Sequence, residues 1–141
     1  MKNLNSRGLT VVSLACWLAT IGLIVVIASP IAEKIRQDDQ GKVIIRYSTD
    51  LVSDALTQYH LSTGKWPNRE TWRDFQSYLR ALPTNPYDGL TVSVSLGEAK
   101  RKSDLVWGSI RVIVLNDEKS CLVVGYGRNG EEIKRLTCPS L

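Results

Sequence analysis

The sequence is poor in the residues that carry most catalytic and metal chemistry. It has one histidine, His60, and three cysteines, Cys16, Cys121 and Cys138. A histidine-based triad or metal site would have to form around a single imidazole at the end of an amphipathic helix, so an ordinary interfacial histidine is the better reading of His60. There is no CxxC, no HExxH and no glycine-rich phosphate-binding loop. Asp104, Asp117 and Glu118 are turn carboxylates whose spacing fits no calcium loop, which leaves a solvated turn. Nothing points to an enzyme, and no metal or other cofactor is expected.

Charge is also missing, and in one place completely. From Gly8 to Pro30 the chain reads GLTVVSLACWLATIGLIVVIASP without one charged side chain. Its polar members are Thr10, Ser13, Thr20 and Ser29, whose hydroxyls can bond back to their own helix. About twenty apolar residues at a rise of about 1.5 Å span a bilayer core. The run continues past Ala32 into mixed, helix-compatible sequence with no small-x-small cleavage site, so the segment is expected to be kept. Hydropathy alone would also suit a plain signal anchor.

What precedes the run adds to this. MKNLNSRG is short, polar and basic through Lys2 and Arg7, and it ends in a glycine directly against the apolar segment. This resembles the leader of the type IV pilins and type II secretion pseudopilins. The resemblance implies cleavage after Gly8 by a prepilin peptidase and methylation of the new amino terminus at Leu9. It extends to Thr10, to the apolar run and to Pro30, placed where those families often bend their long helix. Leu9 departs mildly from the usual Phe. Ser13 departs further, because most family members carry a glutamate there whose carboxylate is thought to neutralise a neighbour's amino terminus. A serine cannot supply that charge, and its presence favours a specialised, minor or initiating subunit.

At 141 residues there is room for one membrane helix and one small domain. The expected division is a leader over 1–8, a transmembrane or filament-core helix over 9–32, an amphipathic continuation over 33–64 and a globular region over 65–141. Lys2 and Arg7 supply two of the four net positive charges, so the processed chain is too weakly basic to argue for nucleic acid. Positive residues flank both ends of the run, and the positive-inside rule orients it little. The short leader favours an internal amino terminus: a single-pass inner-membrane protein with a periplasmic carboxy-terminal domain, or a periplasmic or extracellular filament after assembly.

Beyond Pro30, Ile44, Tyr47, Leu51, Ala55 and Tyr59 or His60 recur at spacings of three and four, with Ile45, Val52 and Leu56 widening the stripe. Arg46, Asp50 and Asp54 mark the other face. The helix is expected to bend at Pro30 and Gly41 and to stop at Gly64, a left-handed cap. GKWP then turns the chain. A second helix is expected from Asn68 or Arg69 to Leu82, and LPTNPYDG forces a loop. Pseudopilins resemble this order, with a Gly-aromatic-Pro turn followed by a later Pro-aromatic-Gly loop.

From Leu90 the period becomes two through Val92, Val94 and Leu96, followed by strands at Val106 to Leu115, CLVVGYG and EIKRLTC. Asn129-Gly130 reads as a two-residue hairpin loop. The fold class is therefore α+β: a long amino-terminal transmembrane helix packed on a small antiparallel sheet, pilin-like. Paired positions across that hairpin have numbers summing to 259, as Cys121 and Cys138 do. In an oxidising compartment they form a disulfide candidate, stapling the carboxy terminus as in many type IV pilins. A bulge at Gly125 or Gly127 would shift the register and separate them. Cys16 is expected to pack as a small apolar residue.

The function this implies is a major or minor structural subunit of a type IV pilus-like filament. A type II secretion pseudopilin is the first alternative and a non-polymerising membrane-tethered periplasmic binding module the second. The late cysteine pair is more typical of pilins. The implied partners are the prepilin peptidase, other pilin or pseudopilin subunits and the inner membrane. Lys100, Arg101 and Lys102 near Trp107 raise a contact with DNA, against which a charged hairpin tip keeping an edge soluble is the better reading.

Overall fold

The computed structural model describes residues 5–98, 101, 104–115 and 119–139, with the side chains of 5–9 and 139 outside the description. One helix, α1, runs Asn5–Thr63. The chain divides into two compact units, Met1–Gln37 and Asp38–Leu141, and each is taken by itself.

The first unit is the amino-terminal part of α1. Its large apolar side chains are exposed: Trp17 is 67% exposed and Ile31 56%, and the others between them are comparably bare. Thr20 Oγ1 donates to Cys16 O at 2.7 Å, which satisfies a hydroxyl without water. Pro30 lies within the helix, which does not end there.

The second unit opens on the rest of α1. Ile45, Val52, Ala55, Leu56 and Tyr59 are buried, so the inward stripe joins Ala55 and Tyr59 of the expected centre to the three residues expected to widen it. Tyr47 is 58% exposed, and Ile44 and Leu51 are half-buried. The helix is turned this way because Ser48 and Thr49 are buried at no polar cost: their hydroxyls donate to Ile44 O at 2.8 Å and Ile45 O at 2.7 Å. Gly41 also lies within the helix. The Tyr87 ring lies where a Cβ of residue 41 would be. The helix ends where the sequence places the end. Gly64 adopts φ +71 and donates its N–H to His60 O at 2.7 Å.

Only Trp72–Gln76 forms the second helix, α2, much shorter than the expected 68–82. Beyond Asp74 the bonds Ser77 N to Asp74 O, Tyr78 N to Phe75 O and Leu79 N to Gln76 O tighten the chain into three-residue turns. Phe75 is fully buried and meets Tyr59 edge-on at 5.8 Å.

Four strands follow: β1 Val94–Leu96, β2 Ile110–Val114, β3 Ser120–Tyr126 and β4 Glu132–Pro139, paired in that order. The sheet is mixed, which corrects the antiparallel expectation: β1 and β2 run parallel and the other neighbours antiparallel. The chain between β1 and β2 is a crossover and not a hairpin. Arg111 helps to hold it, donating from Nη2 to Asp104 O at 3.0 Å. The expected strand from Leu90 is also shorter. Asn85, 1% exposed, accepts from Gly89 N and Tyr87 N and donates to Leu90 O and Trp107 O. This keeps residues 85–90 in a tight loop with Leu90 outside it, 68% exposed.

Candidate functional site

Two sets of residues nominated by the sequence lie one in each unit. In the first, Gly8 and Leu9 are within α1, their side chains outside the description, and Thr10, Ser13 and Pro30 follow on the same helix with exposed side chains. By length and composition this helix can cross a membrane. None of its apolar window is buried within the chain, so the apolar surface between Val11 and Ile35 is offered whole to lipid or to other helices.

The second set is the cysteine pair. Cys121 and Cys138 are Cα partners across β3 and β4, 0% and 5% exposed, and both are free thiols in this structure. The register arises differently from the two-residue loop expected. The turn is a three-residue 3-10 segment, Arg128–Gly130, with Asn129 at φ 60 and Gly130 at φ 71, closed by Gly127 N to Glu131 O at 2.8 Å. That extra residue moves the pairing to Tyr126↔Glu132, and a bulge at Gly125/Tyr126 then returns it to Gly125↔Lys134. The two irregularities cancel, and the cysteines still meet.

Burial pushes the Cys121 thiol up to about 12, with the nearby Cys138 adding to the effect. Ser53, on α1, shares a hydrogen bond of 3.1 Å between its Oγ and Cys138 Sγ. Sequence reasoning missed this contact, because nothing in the helical pattern marks a half-buried serine as facing a strand 85 residues away.

A polar cluster at the start of the second unit was also missed. Lys42 reaches Asp38 at 3.0 Å and Glu131 at 3.3 Å, which holds its ammonium above the usual lysine range, the Asp38 contact foremost. Tyr87 Oη lies 3.5 Å from Asp38 Oδ1. Burial, and then the charge of Asp38, raise its phenol above the usual value. The Asp38–Lys42 spacing of four was legible as a helical ion pair. The third and fourth members come from the β3–β4 turn and the loop around Pro86, and had no local signal.

Among the described residues, the other nominated ones form no further cluster. The His60 ring stacks on Trp66 at 4.1 Å, as an interfacial histidine does. Among the described residues no three metal-ligating side chains cluster, and Asp117 and Glu118 lie outside them, as do Lys100 and Lys102. Arg101 is exposed. Trp107 is capped by the Arg128 guanidinium, 5.5 Å from its ring centre.

No protein family, curated protein or solved structure matches this chain. The functional argument therefore rests on the residues and their geometry.

Proposed function

We propose that this chain is a structural subunit of a type IV pilus-like filament, made as a prepilin, held in the inner membrane by α1, cut after Gly8 and assembled through that helix. The observation that carries the reading is the uncharged, wholly exposed apolar stretch of α1, which follows directly on a polar leader ending in glycine. Such a surface needs lipid before assembly and neighbouring helices after it, and bundling with like helices supplies the second without returning the apolar side chains to water. The facing cysteines favour a pilus subunit over a secretion pseudopilus subunit. They support a disulfide that forms once the domain is exported. Ser13 favours the other reading, a tethered module that never polymerises.

The intact mass of the chain decides between them, measured from cells with an active prepilin peptidase. A chain starting at methylated Leu9 is expected. Retention of residues 1–8 would overturn the filament reading and leave the tethered module. In the same cells, replacing Gly8 with Leu should block cleavage and Gly8→Ala should largely preserve it, because the peptidase must fit a small side chain beside the cut.

A further inference from the structure

In the second unit, β2 runs on past the end of its parallel neighbour β1. Ile110 N donates to Ser93 O at 2.8 Å and Gly97 N to Val112 O at 2.7 Å, so the even-numbered residues of β2 turn their backbone groups toward β1. Leu115 N donates to Ser120 O at 3.1 Å, so the odd-numbered ones serve β3. Gly97, at φ +95, leads the chain away after that last bond, while β2 continues to Val114. The N–H and C=O of Val114 therefore point to the side that β1 has left, and neither has a partner among the described residues. A free donor and a free acceptor on one strand residue are what a further strand takes up.

The space beside Val114 is concave. A cleft of about 710 Å³ is lined by the strand ends, residues 96–98 and 113–115, and by the loop over 64–69, a size within the usual range for bound ligands. The loop is held in place before anything binds. Trp66 and Pro67 are buried, and Asn68 Oδ1 accepts from the N–H groups of Glu70 and Thr71 at 2.9 Å each. Lys65 and Arg69 on the loop and Glu98 on the strand end belong to the lining and are exposed. None of the three forms an ion pair among the described residues. Two cations against one carboxylate leave the lining net positive.

We propose that this cleft binds an extended acidic segment of a partner protein, which adds as a strand beside β2. Its main chain pairs with the N–H and C=O of Val114, and its carboxylates meet Lys65 and Arg69. An extended polypeptide presents an N–H and a C=O at the spacing that a strand residue matches, and the net charge selects an acidic one. The site lies wholly within the second unit and stands whether or not the chain polymerises.

The test is fluorescence anisotropy with the full-length chain in detergent micelles. The probe is the peptide Val-Asp-Val-Asp-Val-Asp, labelled with rhodamine at its amino end and amidated at its carboxy end. It should bind, and the same peptide with lysine in place of aspartate should not. Successive residues of a strand turn their N–H groups to opposite sides. Methylating the valine nitrogens and methylating the aspartate nitrogens should therefore act unequally, one set weakening binding about tenfold or more and the other leaving it nearly unchanged. Lys65→Glu with Arg69→Glu should weaken it about tenfold. Val114→Pro removes an N–H that bonds nothing in the chain, and should abolish binding while the far-UV circular dichroism is kept. The methylated peptides leave the protein unaltered, so they decide the question where Val114→Pro does not fold. No binding of the acidic probe, equal binding of the basic one, equal effects of the two methylated sets, or indifference to the Lys65 and Arg69 reversals would each overturn the proposal. Unchanged binding by a folded Val114→Pro chain would move the strand to another edge and overturn it as well.

Discussion

Gly125 shows at the scale of one residue how tightly helix and sheet meet in the second unit. A Cβ at this position would overlap Thr49 Oγ1 and lie 2.8 Å from Ile45 Cγ2. Both neighbours are fully buried and cannot swing out. Gly125→Ala should therefore cost about 1–3 kcal/mol through overpacking, with partial recovery when Thr49→Ala is added. Urea denaturation followed by tryptophan fluorescence reads the change, and an unchanged midpoint would mean that strand and helix separate freely there. The cysteines give a second effect of single residues. With both thiols reduced, Cys121 keeps its proton in the fold to about pH 12, against 9.0 for an ordinary thiol. The folded state thus holds a proton that the unfolded state releases, and this contribution is present below pH 9 and lost as the pH rises toward 12. Reduced protein should lose more stability across that window than protein with Cys121 and Cys138 joined, in which only groups such as Tyr87 and Lys42 still contribute a loss. Stability titrations of the two forms, with non-reducing peptide mapping to confirm the bond, check both halves.

At the scale of elements, the ends of α1 and of the β3–β4 hairpin contrast in how far local sequence specifies them. Gly64 terminates α1 with a left-handed residue, and a Cβ there would meet nothing within 4 Å. Backbone strain alone then acts, so Gly64→Ala should cost about 1 kcal/mol, visible as a small drop in denaturation midpoint with no change in secondary structure. This end was legible because a glycine acts through its own φ. The hairpin was only half legible. Asn129-Gly130 marked a turn correctly, but its length and the compensating bulge depend on Gly127 and Gly125, where the sheet must clear Ile133 on one side and α1 on the other. The short α2 and the parallel β1–β2 pair escaped for the same reason: the periodicity of a segment states which residues want burial, and does not state which neighbour will bury them.

At the scale of the whole molecule, Ser13 bears most directly on the proposed assembly. If the chain enters a filament, Ser13→Glu should change its incorporation among the other subunits by several-fold. A carboxylate in an apolar core attracts a neighbour's amino terminus strongly when paired and is costly when not. Quantifying the subunit in sheared filaments reads the effect in either direction. Equal incorporation of the unsubstituted chain and the Ser13→Glu variant would show this position to be indifferent.

The sequence by itself determined the long helix, its membrane-compatible stretch, the helix end at Gly64, the turn at Asn129-Gly130 and the presence of late strands. Each is written in local periodicity or in the backbone preference of one residue type. The tertiary structure decided which side of α1 faces inward, because Ser48 and Thr49 can be buried once their hydroxyls bond the backbone. It decided that β1 joins the sheet in parallel, and that Cys121 and Cys138 meet through two register shifts that cancel. It also left Asp39, Arg46 and Asp54 without an ion pair among the described residues while engaging Asp38 and Asp50. Those outcomes depend on residues far apart in the chain competing for the same space and the same partners, and no window of sequence contains that competition.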